Sequence, residues 1–333
     1  MLLLAACGGG GSGTGEPVSP PPAAFVATSV QDALDYGMAG GLDALWIYID
    51  RDDGEPSTYA AGTENRTTLA PAQPGSRFKI ASVSKMFIAV AAVKAIEDGL
   101  LRLDDTVVFW LPDLEGRLAN ANTITLRQLL RHRSGVPDFD SAPGFSWTRA
   151  HTDTDVLLEM VLDRPADFAP NNRYEYSNTN YLLVGRILDT ALGYSHHDFI
   201  QNEILTPLGM VNTYSLLGEA DIESLARGYW DDVDRTAQDY VVPGGSMVST
   251  ARETGVFLRA LATGNLLSAN ERSLFLSMFS FGHSGWLPGY QSLAYYHADI
   301  DTVVIQFVNN TGGGSEQRAQ QTYDALLHHL RNP

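Results

Sequence analysis

The first clear pattern along the chain is helical: apolar positions between Val30 and Met38 predict a short amphipathic helix. Ala44-Leu45-Trp46-Ile47-Tyr48-Ile49 follows as an apolar, aromatic-rich run that reads as a strand, closed by the turn signal Asp52-Asp53-Gly54. From Ile80 to Leu100 the character changes. Ile, Val, Met, Phe and Ala fall on nearly every face, so the spacing predicts a helix buried on all sides, with Gly99 at its C′ position. The next stretch, to about Leu217, keeps mostly helical spacing. Leu126, Leu129 and Leu130 form one set, Val156, Leu157, Met160 and Val161 a second, and Leu182, Leu183, Ile187 and Leu188 a third that Gly193 closes. Strand patterns return late, at His283 to Leu287, Tyr290 to His297 and Thr302 to Val308, joined by Pro288-Gly289 and Asp299-Ile300-Asp301. A helix from about Glu316 to Leu330 completes the pattern.

Strand and helix in front, helices in the middle, and strands with a helix behind imply an α/β unit interrupted by a helical insertion. The expected boundaries are 25–105 and 225–333 for the α/β part, 106–224 for the helical part, and a separate segment over 1–24. No internal repeat is visible, and a cleft between two such lobes is a common place for a small-molecule site.

Composition narrows the function. With 44% hydrophobic and 18% charged residues in 333, the chain is ordinary globular material. Its net charge of −17 repels nucleic acid and anionic lipid headgroups alike, so nucleic acid is excluded as an expected partner. Lysine occurs only at Lys79, Lys85 and Lys94, which makes each one worth inspecting. No stretch after residue 20 is both long and apolar enough to span a bilayer. The single cysteine stands in Leu4-Ala5-Ala6-Cys7, followed by Gly8 to Gly13 and a Pro-rich run to Pro22. This resembles the lipobox and flexible tether of a bacterial lipoprotein, implying a lipid anchor on Cys7 and a place in the cell envelope, outside the cytoplasm. Met1-Leu2-Leu3-Leu4 supplies only a stub of the apolar region and no Lys or Arg precedes it, so the resemblance also implies a start upstream of Met1. The alternative is a frayed terminus with a chance cysteine. A lone cysteine excludes a disulfide within the chain.

Three short motifs carry chemistry. Ser82-Val83-Ser84-Lys85 opens the buried helix, where positions i and i+3 share a face, so the Lys85 nitrogen can lie over the Ser82 hydroxyl and take its proton. The helix start offers free N–H groups and a positive dipole end to a developing oxyanion. A buried lysine costs several kcal/mol unless it is paired or neutral, and that cost argues for function. Chance alone yields about 0.2 such Ser-x-x-Lys matches for three lysines at ordinary serine usage, so the motif needs company. Tyr176-Ser177-Asn178 stands before a helix, where Ser177 and Asn178 also read as ordinary N-caps and Tyr176 as a core aromatic. His283-Ser284-Gly285 heads a late strand, where a histidine is more commonly a satisfied edge residue.

In this order and spacing the three motifs resemble the fingerprint of the serine β-lactamase and penicillin-binding protein superfamily, S-x-x-K, then Y-x-N, then K-T-G. The Y-x-N form points to the branch of class C β-lactamases, D-alanyl-D-alanine carboxypeptidases, family VIII-like esterases and D-amino-acid peptidases. Arg77-Phe78-Lys79-Ile80-Ala81, Ile124 to Leu130 running into His132-Arg133-Ser134-Gly135, and Gly244-Gly245-Ser246-Met247-Val248-Ser249-Thr250 look like that branch too. Some of these phrases have structural explanations. Ser134-Gly135 can end the helix of Leu129 and Leu130, and Thr250 with Glu253 can make a capping box.

The resemblance implies an α+β fold of β-lactamase/transpeptidase type, an antiparallel sheet flanked by helices with an inserted, mostly helical domain. It implies a serine hydrolase in which Ser82 forms an acyl-enzyme with an ester or amide carbonyl of a small molecule or peptide. The N–H groups of Ser82 and Trp286 would hold the oxyanion, Tyr176 would act as general base with Lys85 beside it, and Asn178 would orient Lys85 and the substrate amide. His283, Ser284, Gly285 and Trp286 would line the substrate site, with no cofactor and no metal. A D-Ala-D-Ala carboxypeptidase-like activity leads, because His283 replaces the lysine of K-T-G. Esterase and β-lactamase follow, and a non-catalytic penicillin sensor is opposed by the intact Ser82, Lys85, Tyr176 and Asn178.

Two titrations complete the expectation. Tyrosine titrates near 10, so an anionic Tyr176 at pH 7 requires about 4 kcal/mol, which an adjacent Lys85 ammonium in a dry cleft can supply. A histidine near its ordinary value of about 6.5 would lose charge between about pH 6 and 8, so turnover of carboxylate-bearing substrates would fall there while neutral esters would not respond.

Overall fold

The computed structural model describes residues 25–52 and 54–333; Cys7 and the rest of the expected tether lie outside them. Helix α1 (Val30–Ala39) starts at Ser29, whose hydroxyl accepts from the Asp32 N–H. Strands β1 (Ala44–Arg51), β2 (Ser57–Asn65), β3 (Ala70–Pro71) and β4 (Phe78–Lys79) lead to a 3₁₀ turn at Ala81–Val83 and helix α2 (Ser84–Glu97). Helices α3 (Val107–Trp110), α4 (Leu126–Leu130), α5 (Thr154–Glu159), α6 (Asn178–Leu192) and α7 (His196–Ile200) follow, linked by long irregular segments. Short strands β5 (Tyr229–Trp230), β6 (Val233–Asp234) and β7 (Val248–Ser249) precede helices α8 (Ala251–Thr263) and α9 (Ala269–Leu276). The late strands are β8 (Gly282–Leu287), β9 (Tyr290–His297), β10 (Thr302–Val308) and β11 (Asn310–Thr311), and helix α10 (Ser315–Arg331) closes the fold.

The main sheet runs β3-β2-β1-β10-β9-β8, antiparallel throughout. β1 reads as a continuous apolar run because it is central and covered on both faces. Leu45, Ile47 and Ile49 join the core under α1 and α10, while Trp46 and Tyr48 join the larger core built around α2 and α8. β2 escapes the hydrophobic pattern because Ser57 to Asn65 is polar or small and half-exposed; its register is set by pairing with β1. The three late strands lie where their sequence pattern predicts, and the β8–β9 hairpin turns at Pro288-Gly289 with Gly289 at φ +85°.

The expected buried helix is α2, with eleven of its fourteen residues buried, and Gly99 takes a left-handed φ of +76° just past its end. Gly193 ends α6 in the same way at φ +74°. Two local expectations are corrected. His132, at φ +52°, turns the chain after α4; Ser134 instead donates to Asn180 Oδ1, and Gly135 packs against the Phe168 carbonyl. Thr250 caps α8 by accepting from the Glu253 N–H, but the Glu253 carboxylate does not reach back; it accepts from Asn212 N, Asn212 Nδ2 and Thr213 Oγ1.

Among the described residues no helix is long and apolar enough to cross a membrane. α8 sits close on the sheet because Gly255 faces Tyr48, where a Cβ would stand 2.0 Å from the ring. Overpacking of this kind costs about 1–3 kcal/mol. Gly255→Ala should therefore lower the unfolding free energy by about 1–3 kcal/mol, seen as a lower urea midpoint with an unchanged m-value, and an unchanged midpoint would show that the Tyr48 ring yields freely.

Candidate active site

Ser82 owes its position to a sharp turn. Ala81 adopts φ +51°, a left-handed conformation that costs a non-glycine residue of the order of 1 kcal/mol. Buried Ser84 holds the turn, donating to the Ala81 carbonyl at 2.6 Å and accepting from the Met247 N–H at 3.2 Å. From the sheet side, Ser292 Oγ donates to the Ile80 carbonyl at 2.8 Å. Gly285 lets β8 approach, since a Cβ there would lie 2.5 Å from the Ile80 oxygen and 3.0 Å from the Ala81 Cβ. In a two-residue hairpin Leu287 and Tyr290 exchange hydrogen bonds, so the Trp286 N–H points off the open edge of β8, beside the Ser82 turn.

Lys85 lies one turn below Ser82 and is buried. Its Nζ is 3.0 Å from Ser82 Oγ, 2.9 Å from Asn178 Oδ1 and 3.0 Å from the Gly244 carbonyl. Gly244, at φ +78°, is required for that approach: a Cβ would stand 2.8 Å from Lys85 Cγ. Burial pushes the Lys85 pKa down to about 7, against the opposing pull of Asp138 and Asp140. Tyr176 donates from its hydroxyl to Ser82 Oγ at 2.9 Å. Burial pushes the phenol well above its ordinary range, and Asp138 and Asp140 push it further, so Tyr176 stays protonated. The pair, whose proton the sequence does not place, is thus biased toward a neutral lysine beside a protonated tyrosine.

The sequence brought Ser82, Lys85, Tyr176 and Asn178 to one place, and His283, Ser284, Gly285 and Trp286 line the same cavity. It missed residues that hold them. Asp138 accepts from the Asn178 N–H at 2.8 Å and Asn178 Nδ2 at 3.2 Å, with Asp140 Oδ2 3.3 Å from the same nitrogen. Asp138 thus supplies the N-terminal acceptor of α6, while Ser177 occupies the cap position with its hydroxyl buried and unpaired. Burial and Asp140 raise the Asp138 carboxyl to about 6. His132 stacks on Tyr176 with ring centroids 4.4 Å apart, and its Nδ1 accepts from the Ser177 N–H at 3.2 Å. Burial and Lys85 hold it neutral, down to about 3. The visible signal for these residues was the phrase from His132 to Gly135, which continues through Val136-Pro137 to Asp138.

His283 stacks on Phe279 at 5.7 Å and sits 6.1 Å from Tyr176. Burial, reinforced by Lys85, pushes its pKa down to about 4, so the ring is neutral across physiological pH and has no charge to lose between pH 6 and 8. The expected titration is overturned. The cavity encloses about 460 Å³, within the range of small-molecule sites. Phe139, Phe145, Trp147, Tyr240 and Trp286 give it aromatic walls, Asp140 and Glu316 face it, and among the described residues no lysine or arginine lines it. Hydrogen bonds from the Gly312 N–H and Trp286 Nε1 outweigh burial and hold the Glu316 carboxyl below its usual value.

A serine at a helix start, a buried lysine beneath it and a tyrosine across it, set against an antiparallel sheet, are the site architecture of the serine β-lactamase and penicillin-binding protein superfamily. The chain belongs to the Beta-lactamase family, whose model matches residues 30–278. It is 29% identical over 303 residues to Penicillin-binding protein 4* of Bacillus subtilis (strain 168), the match covering 75% of this chain and 64% of that protein, so the chain spans less than two thirds of that relative. The crystal structure of D-amino acid amidase from Ochrobactrum anthropi SV3 with L-phenylalanine amide superposes with a TM-score of 0.82 at 25% identity, covering 91% of this chain and 97% of that one. A penicillin-binding protein from Bacillus halodurans shares the fold, with a TM-score of 0.77 at 19% identity over 90% of this chain and 99% of that one.

The lysine sets the pH response. If neutral Lys85 accepts the Ser82 proton, activity requires the deprotonated amine. The value of kcat/KM should rise about tenfold per pH unit below pH 7 and level off above it, for neutral and carboxylate-bearing substrates alike. A stopped-flow acylation profile between pH 5 and 9 checks this, and a flat profile through pH 7 would assign the proton to another group.

Proposed function

We propose that the protein is a serine amidase or esterase that hydrolyses small acyl donors lacking a carboxylate through an acyl-enzyme on Ser82. The arrangement around Lys85 carries the reading. A neutral amine has two N–H donors and one lone pair; Asn178 Oδ1 and the Gly244 carbonyl take the two donors, leaving the lone pair for the Ser82 hydroxyl proton. After that transfer the ammonium has three donors for the same three oxygens, so both states of the reaction are satisfied without rearrangement.

In this reading Ser82 Oγ gives its proton to Lys85 as it bonds to the carbonyl carbon, and the N–H groups of Ser82 and Trp286 hold the resulting oxyanion. Collapse breaks the bond to the leaving nitrogen or oxygen, which takes the Tyr176 proton, and the Lys85 ammonium restores the phenol. Water then attacks the ester, with Tyr176 and Lys85 receiving its proton and Ser82 leaving as the hydroxyl. Asn178 orients Lys85, and His283, Ser284 and Gly285 form the strand along which the substrate lies.

The substrate class follows from charge. D-Ala-D-Ala peptides and penicillins carry a carboxylate near the scissile bond, and here such a group would meet neutral His283 and the carboxylates of Asp140 and Glu316. A carboxylate-free amide or ester with an aromatic group meets aromatic walls instead. The likeness to an amidase solved with L-phenylalanine amide supports this over the carboxypeptidase and β-lactamase readings. A lipid on Cys7 and a place in the cell envelope belong to the same proposal.

The test is a panel of D-phenylalanine amide, D-phenylalanine methyl ester, nitrocefin and a D-Ala-D-Ala peptide, with intact-mass detection of adducts. The two carboxylate-free donors should exceed the peptide in kcat/KM at least tenfold, with one acyl adduct on Ser82 and a loss of at least about 10⁴-fold in Ser82→Ala. Faster turnover of the peptide or nitrocefin overturns the substrate class, and an adduct elsewhere overturns the mechanism. A lasting penicillin adduct without turnover of any donor would indicate a sensor.

A further inference from the structure

Lys79, three residues before Ser82, is a second buried lysine that the hydrolytic mechanism does not use. Its Nζ donates to the Gln238 carbonyl at 2.6 Å and lies 3.4 Å from the Arg235 carbonyl, with the Tyr290 ring 5.2 Å away. Burial pushes it down to about 7, offset by Asp239 and Asp234; both the ammonium and the amine have N–H groups enough for these two carbonyls. The segment it grips carries on to the cavity wall. Gln238 Nε2 is within hydrogen-bond reach of the Trp147 carbonyl at 2.7 Å, the Arg149 carbonyl at 2.6 Å and the Tyr240 hydroxyl. The Tyr240 hydroxyl donates to the same Trp147 carbonyl at 2.7 Å. His151 N donates to the Asp239 carbonyl at 2.8 Å, and Val241 N to the His151 carbonyl at 3.0 Å. Trp147 itself stands edge-on to Trp286 at 5.5 Å, completing the aromatic wall.

The segment around Trp147 has little structure of its own, being irregular from Ala142 to the start of α5. Its position therefore depends on what it is tied to. The tie leads back through Gln238 to β4, the strand that delivers the nucleophile.

Building on the reading of this cavity as the acyl site, we infer that Lys79 is a positioning residue that sets acyl specificity. Through Gln238 it fixes the Trp147 wall at a set distance from Ser82, and so selects donors with an aromatic acyl side chain over those with a methyl.

The test compares D-phenylalanine methyl ester with D-alanine methyl ester, which share a leaving group and differ only in the acyl side chain. In Lys79→Met, and separately in Gln238→Leu, the ratio of their kcat/KM values should fall at least fivefold, mainly through KM of the phenylalanine ester. Adding Lys79→Met to Trp147→Ala should lower the ratio by less than twofold, because the wall is already gone. An equal loss for both esters, or a further full fivefold drop in the Trp147→Ala background, would overturn the inference. If Lys79→Met fails to fold, Gln238→Leu decides by the same ratio. If wild type hydrolyses neither ester and forms no Ser82 adduct, the fault lies with the proposed function.

Discussion

One buried amine organises this molecule. A lysine nitrogen withdrawn from water must be neutral, or surrounded by acceptors, or both, and Lys85 meets the requirement with oxygens from the start of its own helix and from two distant segments. Ser82 comes from the turn before α2, Asn178 from the start of α6, and Gly244 from the loop ahead of β7. Satisfying the nitrogen therefore brings these segments together, and each is locked in turn: the Ser82 turn by Ser84 and Ser292, Asn178 by Asp138, and the Gly244 loop by a φ that suits glycine. The groups that make burial of the lysine tolerable are the same ones that hold its nitrogen 3.0 Å from the Ser82 hydroxyl.

What the sequence made legible was whatever a local pattern could express. The late strands were readable because they are short runs rich in apolar, aromatic and β-branched residues separated by turn residues. α2 was readable because helix periodicity fails in the way expected of a helix buried on all sides. Polar β2 was invisible, since its neighbours rather than its composition make it a strand. At the site, Ser82 with Lys85 was legible because a helix fixes their relation within one turn. Asp138 was not, because nothing in Pro137-Asp138-Phe139 announces that its carboxylate will cap a helix forty positions later. Protonation was the least legible property. An ordinary histidine value suits a solvated ring, and the charged state of Tyr176 depended on whether its partner lysine was itself desolvated. Burial decides both, and burial is a property of the assembled fold.

The same desolvation gives the cavity its chemical character. Removing water drives Lys85 and His283 toward their neutral forms, while Glu316, tied to Gly312 and Trp286, stays ionised. The cavity beside Ser82 thus has acidic and aromatic groups and, among the described residues, no lysine or arginine on its walls. The strong negative charge of the whole chain adds to that bias.

The order in which the chain is made gives the pairing of β1 with β10 a further meaning. Residues 45–51 wait for 302–308 before the centre of the sheet can close, and β8, β9 and α10 are synthesised on either side of that late strand. Ser82 and Lys85 leave the ribosome early, yet the strand edge that supplies the Trp286 N–H and the helix that supplies Glu316 come near the end. A growing chain therefore carries Ser82 before the groups that surround it in the fold, and in the proposed reaction its hydroxyl would be activated only once the late strands and α10 have joined it.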